Sequence, residues 1–227
     1  MRNPVDLIYS YYGQLRWGGY ENLGSFDEAL EAETDRRMGR RVPKSALVPE
    51  ALYYSEVGML GPQVERYLAV FPREQVHFVM FDDLMKDAAR SYLGLLDFLG
   101  ISKVEPGSYV VRNPHKDARS LTLSAWFQRP PRFVRILLAL VPQPYRYIML
   151  GPLQRLNTRV IKREGMRPET RRLLQNHFAS DIERLGVLVG RDFSDWLLPK
   201  EGCYAPATHQ HGSLLAHSGS SPQQEGS

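Results

Sequence analysis

The clearest hydrophobic pattern lies near the end of the chain. Between Pro168 and Val189, Leu173, Leu174, Phe178, Ile182, Leu185 and Val189 recur on one face at helical spacing, which predicts a strong amphipathic helix. A different pattern occupies residues 76–81. There Val76-His77-Phe78-Val79-Met80-Phe81 is a short, nearly continuous apolar run and reads as a buried strand. Asp82 or Asp83 then caps a helix that runs to Leu99 and stops at Gly100. This helix-strand-helix order predicts an α/β architecture with a parallel strand.

Polar positions punctuate the rest. Asn3 suits a helix N-cap, Pro4 the first helical position and Asp6 the third, where a carboxylate meets the positive end of the helix dipole. A helix over about 4–16 is expected, with no structured element before it. Ser25-Phe26-Asp27-Glu28 is a capping box opening a short acidic helix to about Arg37. A basic loop follows (Arg36, Arg37, Arg40, Arg41, Lys44), then helical patterns over about 48–58 and 62–70, ended by Phe71-Pro72. Residues 102–118 read as loop. Residues 119–163 read as helical pieces interrupted by prolines, and Trp196 and Leu197 as closing the core. From Gly202 onward Gly, Ser, Gln, Pro and His dominate with hardly any charge, which predicts a disordered tail. The expected division is one domain over 1–200 and a tail over 201–227.

Composition changes this picture little. A chain of 227 residues with 43% hydrophobic and 24% charged residues has the profile of an ordinary soluble globular protein, which excludes collagenous, mainly disordered and membrane-embedded classes. The longest aliphatic stretch, Ile136 to Val141, is far short of the roughly 20 residues that span a bilayer. No signal peptide is evident, and the single cysteine, Cys203, favours a reducing, cytoplasmic setting. A net charge of +4 permits an anionic partner without naming one.

The segment with most chemistry is Arg2-Asn3-Pro4-Val5-Asp6-Leu7-Ile8-Tyr9-Ser10-Tyr11-Tyr12. Arg2 lies just outside the helix start and Ser10 about two turns inside, roughly 10 Å along the axis. An arginine can fold over that interval, so a phosphate held there would receive a charge-assisted fork from Arg2 and a hydroxyl from Ser10. Capping physics alone favours the plainer reading, a capped surface helix with a solvated arginine.

Arg-Asn-Pro-x-Asp-x-x-x-Ser-x-Tyr resembles the 3′-phosphate-binding motif of sulfotransferases that use 3′-phosphoadenosine 5′-phosphosulfate (PAPS). Leu7 departs from the arginine often found there. Further stretches resemble the bacterial members of that family in order and spacing: Ser25 to Glu33, Gln63 to Leu68, Phe71 to Val76, Phe81-Asp82-Asp83-Leu84, Leu95 to Ile101, and Arg167 to Trp196. The resemblance implies a P-loop-NTPase-like sulfotransferase fold, here its C-terminal portion, predominantly helical with a depleted parallel sheet. It implies PAPS as co-substrate, no metal, and 3′-phosphate contacts from Arg2 and Ser10. Arg163, in the basic turn Lys162-Arg163-Glu164-Gly165, takes a third contact on the same grounds, with a solvated turn as the plain alternative.

The family also carries a Gly-rich loop with a lysine for the 5′-phosphosulfate, and a catalytic base beside it. No Gly-x-x-Lys-x-Gly-Thr-like segment occurs in these residues. The expectation is therefore a sulfotransferase domain lacking that N-terminal segment. Two readings stay open: sulfonyl transfer to a hydroxyl or amine of a carbohydrate, lipid or small molecule, or a non-catalytic remnant that binds a nucleotide or docks on an anionic surface.

Other features carry less. Residues 129–163 hold eight Lys or Arg and no acid, interleaved with Leu, Ile, Phe and Tyr, which suits either peripheral contact with anionic lipid or helices whose basic side chains snorkel into water. Asn113, Lys116, Arg119 and Ser120 form a polar stretch that reads as an ordinary connection or as facing a ligand. His77 reads as a core or edge residue, and the tail histidines lack a metal-site framework. No nucleic-acid partner is indicated. Oligomeric state is not legible.

Overall fold

The computed structural model describes residues 1–104, 116–128, 130–132, 134, 142, 151–152, 155–160 and 165–199. The tail from 201, Arg163 and most of the basic stretch 129–163 lie outside the described residues. The described part is largely helical. In order it comprises α1 (Pro4–Gly18), α2 (Phe26–Glu31), α3 (Glu33–Arg37), a 3₁₀ turn (Pro49–Leu52), α4 (Tyr54–Val57), α5 (Gly61–Leu68), a 3₁₀ turn (Arg73–Gln75), α6 (Phe81–Lys86), α7 (Ala88–Leu99), β1 (Lys116–Ala118), α8 (Leu121–Gln128), β2 (Thr158–Val160), α9 (Pro168–Val189) and a closing 3₁₀ turn (Ser194–Leu197).

Local signals behave as expected where they are strong. Asn3 caps α1, its Oδ1 accepting from the Val5 N–H at 3.0 Å, and Gly19 ends the helix at a φ of 78°. That turn needs glycine twice over: positive φ is costly for other residues, and a Cβ would lie 2.4 Å from the Ser124 main chain where α8 crosses. Ser25 and Glu28 form the capping box of α2.

The core gathers around α1 and α9. Val5, Ile8, Tyr12 and Leu15 of α1 meet Leu174, Phe178, Ile182 and Leu185 of α9, with Phe26, Leu52 and Tyr54 closing the cluster. The rings of Tyr12, Phe26 and Tyr54 meet at tilted or edge-on angles, with centroids 5.4–6.0 Å apart. Leu173, expected on the apolar face of α9, is 69% exposed, and the polar residues Thr170, Arg171, Gln175 and Asp181 are buried in its place. Asp181 shows why a buried acid is tolerated: it accepts from the main-chain N–H groups of Leu60 and Gly61 and so caps α5 from another helix.

Arg36 corrects the expected basic loop. It belongs to α3, is fully buried, and its Nη2 lies 2.9 Å from Glu21 Oε1. Glu21 also accepts from Tyr54 Oη at 2.7 Å and from the N–H groups of Asn22 and Leu23. Burial, reinforced by Glu21, pushes the Tyr54 phenol well above its usual range. The exposed part of that loop is paired instead, Arg40 with Asp35 and Arg37 with Glu56.

Three further expectations change. Residues 76–80 are extended but form no ladder, and among them only Met80 is buried. Their partner is Met1: its amino group donates to the Val79 carbonyl, and its carbonyl accepts from the Phe81 N–H at 2.6 Å. These two bonds have the pattern of one rung of a parallel ladder. The helix expected up to Leu99 is broken at Asp87, which adopts extended geometry and caps α7 through the Arg90 N–H. Residues 158–160, expected to be helical, pair antiparallel with 116–118. That ribbon is the one ladder among the described residues. The parallel sheet expected from sequence is not among them.

Candidate functional site

The site is built outward from the first turn of α1. Asn3 is 2% exposed and uses both ends of its amide: Oδ1 caps the helix, and Nδ2 donates to the Trp196 carbonyl at 3.1 Å. Trp196 in turn donates its indole N–H to Asp82 Oδ2 at 3.1 Å, and Gln175 Nε2 also reaches the Trp196 carbonyl. Asp83 takes a bidentate contact from Arg191, one arm of which is 3.0 Å long. The Arg191 contact holds the Asp83 carboxyl below the ordinary aspartate range and keeps the guanidinium firmly protonated. Neither Asp82 nor Asp83 is the expected helix cap: α6 begins at Phe81 with no side-chain cap, and both carboxylates are taken by residues 191–196 instead. Residues 79–83 and 191–196 together clamp the start of α1.

Arg2 stands at the edge of this clamp. Its guanidinium carbon is 4.6 Å from the centroid of the Phe81 ring, a cation–π contact. No carboxylate pairs with it among the described residues. Ser10 lies two turns along α1 and is half-buried, with no hydrogen bond to Arg2. Arg2 precedes the Asn3 cap and so stands outside the helix, whereas Asp6 and Ser10, four residues apart, share one face of α1. Asp6 pairs with Arg171 of α9 at 2.7 Å, both side chains largely buried. Arg171 so balances the Asp6 charge beside the positive end of α1.

The remaining candidates separate clearly. Ser120 is a cap: its hydroxyl accepts from the Leu123 N–H, and its N–H donates to Asn157 Oδ1. The Arg119 N–H donates to the Asn157 carbonyl, so the 119–120 segment is held by the second strand's approach. His77 is exposed and stacks on Phe98 at 4.9 Å. No group of three or more His, Cys, Asp or Glu among the described residues is placed to hold a metal ion. None of the described helices is long and apolar enough to cross a membrane.

Sequence reasoning missed Phe81 and Arg171 as neighbours of the motif. The sequence pattern makes Phe81 the end of a strand and leaves Arg171 without a role inside the closing helix. The only local hint was the pair of acids following Phe81, which needed partners that the local sequence does not supply.

With this geometry in place, comparison with known proteins is decisive. The family model of the sulfotransferase domain matches residues 1–120, more than half of the chain. The chain belongs to the sulfotransferase domain family. A curated relative, the membrane-associated sulfotransferase kil1 of Dictyostelium discoideum, is 23% identical over 111 residues, which cover 49% of this chain and 22% of that protein. The crystal structure of a sulfotransferase from Alicyclobacillus acidocaldarius superposes with a TM-score of 0.51 at 26% identity, covering 86% of this chain and 55% of the other. The chain thus matches about half of the solved bacterial sulfotransferase and about a fifth of the curated relative. The Arg2-to-Ser10 segment lies inside the matched region, as do the extended 76–80 segment and its Phe81 neighbour.

Proposed function

We propose that this sulfotransferase domain binds the 3′-phosphate of PAPS through Arg2 and Ser10 and serves transfer of the sulfonyl group to a hydroxyl or amine of a carbohydrate, lipid or small molecule. In such a transfer the bond from sulfur to the phosphate oxygen breaks, a bond to the acceptor oxygen or nitrogen forms, and the acceptor gives up a proton. Arg2 and Ser10 anchor the nucleotide and take no part in that exchange. Arg163 is assigned a third contact to the same phosphate, and the single cysteine favours a reducing compartment such as the cytoplasm.

The observation that carries this reading is the state of Arg2. Its guanidinium sits at the positive end of a capped helix, held by an aromatic face and unclaimed by a carboxylate among the described residues. Its N–H groups are left for an oxyanion, and Ser10, two turns into the helix, offers a hydroxyl. The family supports the cofactor class, and the bacterial neighbour supports the fold.

Isothermal titration with adenosine 3′,5′-bisphosphate tests the assignment without requiring turnover. Arg2→Ala should weaken binding roughly ten- to a hundredfold, the span expected for a charge-assisted hydrogen-bond pair. Ser10→Ala should cost less, since its hydroxyl is neutral. Equal affinity of the Arg2→Ala variant and the unsubstituted chain would remove the assignment.

A further inference from the structure

Phe81 is the first residue of α6 and is 37% exposed. Two contacts tie it to the residues beside the α1 cap. Its main-chain N–H donates to the Met1 carbonyl at 2.6 Å, and its ring lies under the Arg2 guanidinium at 4.6 Å. Main chain and side chain of one residue therefore hold two consecutive residues at the head of the phosphate-binding motif.

The kind of contact matters. The ring face attracts the Arg2 cation without taking up its N–H donors, and a guanidinium lying flat on a ring keeps all five donors in a plane parallel to it, free for other partners. A carboxylate in the same place would occupy two of those donors and cancel the charge. The nearest acids in sequence, Asp82 and Asp83, are engaged elsewhere, by the Trp196 indole and by Arg191. Arg2 is thus restrained without being neutralised. An unrestrained arginine loses rotamer freedom when it binds an anion, and restraining it beforehand lowers that cost.

From this arrangement we infer that Phe81 is a positioning residue for Arg2, holding the guanidinium flat with its donor edge open to the nucleotide 3′-phosphate. The inference rests on the reading of Arg2 as a nucleotide contact and goes beyond it by assigning a residue outside the motif.

The test is a double-mutant cycle read by isothermal titration with adenosine 3′,5′-bisphosphate, alongside NMR of the Arg2 side chain. Phe81→Leu keeps apolar bulk and removes the π face; it should weaken binding about two- to fivefold, the range of an exposed cation–π contact. Phe81→Trp, which restores a larger face, should recover the affinity. In an Arg2→Ala background, Phe81→Leu should have no further effect. The Arg2 side-chain protons should be shifted upfield by the ring current in the unsubstituted protein and lose that shift in Phe81→Leu. If Arg2→Ala weakens binding but Phe81→Leu does not, Phe81 has no positioning role and the reading of Arg2 stands. A loss in Phe81→Leu that persists undiminished without Arg2, or that Phe81→Trp does not recover, makes the effect a general structural one and overturns the inference. An Arg2 resonance with no ring-current shift overturns it as well, whatever the folding of the variants. If the unsubstituted chain does not bind the bisphosphate, or Arg2→Ala is without effect, the reading of Arg2 falls and the inference with it.

Discussion

Asn3 and Trp196, 193 residues apart in sequence, are joined by a hydrogen bond of 3.1 Å from the asparagine amide to the tryptophan carbonyl. The same asparagine caps the helix that carries Ser10, next to Arg2, and the same tryptophan holds Asp82 through its indole. One buried side chain therefore links the first turn of α1 to the 3₁₀ turn Ser194–Leu197. The start of α1 is positioned by tertiary contacts as well as by its cap.

Asparagine is the one residue type that serves both ends of this link, and substitution can separate them. Asn3→Asp keeps the acceptor for the Val5 N–H and loses the donor to Trp196. Asn3→Ala loses both. The cap is worth about 0.5–2 kcal/mol and the second bond about 1 kcal/mol, more if the Trp196 carbonyl lost its other partner, Gln175. Urea unfolding should place both variants below the unsubstituted protein, with the aspartate set against the Trp196 carbonyl in a site 2% exposed, a cost that offsets the cap it keeps. An unchanged midpoint in Asn3→Ala would mean that neither bond contributes.

The Asp83–Arg191 bridge makes an acid-side prediction. The arginine holds the folded-state carboxyl below its unfolded value of about 3.9, so the ionised form is favoured by folding. Its contribution is complete above the unfolded value and disappears as pH falls through the lower folded one. Both side chains are about half-exposed, so solvent screening limits the effect to about 1 kcal/mol or less. Asp83→Asn should lower the melting temperature at neutral pH by a small, constant amount, and the two curves should converge at acid pH. A gap that widens on acidification would contradict this sign.

Gly58 supplies a packing prediction. It ends α4 beneath α9, and a Cβ there would lie 2.4 Å from Phe178 Cζ and 3.1 Å from Ile8 Cγ2. Gly58→Ala should destabilise by about 1–3 kcal/mol through overpacking of the α1–α9 core. Combining it with Phe178→Leu should cost less than the sum of the single changes, because the shorter side chain vacates the space. Strict additivity in urea unfolding would place the strain elsewhere.

The boundaries that sequence got right are those closed by a hydrogen bond within a few residues. The starts of α1 at Asn3 and α2 at Ser25, the glycine stop of α7 and the long run of α9 all satisfy their own backbone groups locally, so propensity and capping decide them. The boundaries it got wrong depended on a partner. Residues 76–81 have the composition of a strand, but a strand needs a neighbour, and among the described residues only Met1 supplies one rung. Asp87 broke a helix that apolar spacing alone carried through, because its carboxylate takes a main-chain donor that the helix would otherwise have used.

The same division runs through the candidate site. Residue order placed Arg2 just before a capped helix and Ser10 about two turns inside it, because helical rise is set by covalent geometry and local hydrogen bonds alone. Sequence resemblance identified the family that the comparison then established. Packing decided what surrounds those residues: the ring under Arg2, the guanidinium against Asp6, and the engagement of Asp82 and Asp83 by Trp196 and Arg191. Those contacts join residues 79 to 165 positions apart, and only the folded core brings such distant groups within reach of a hydrogen bond or a ring face.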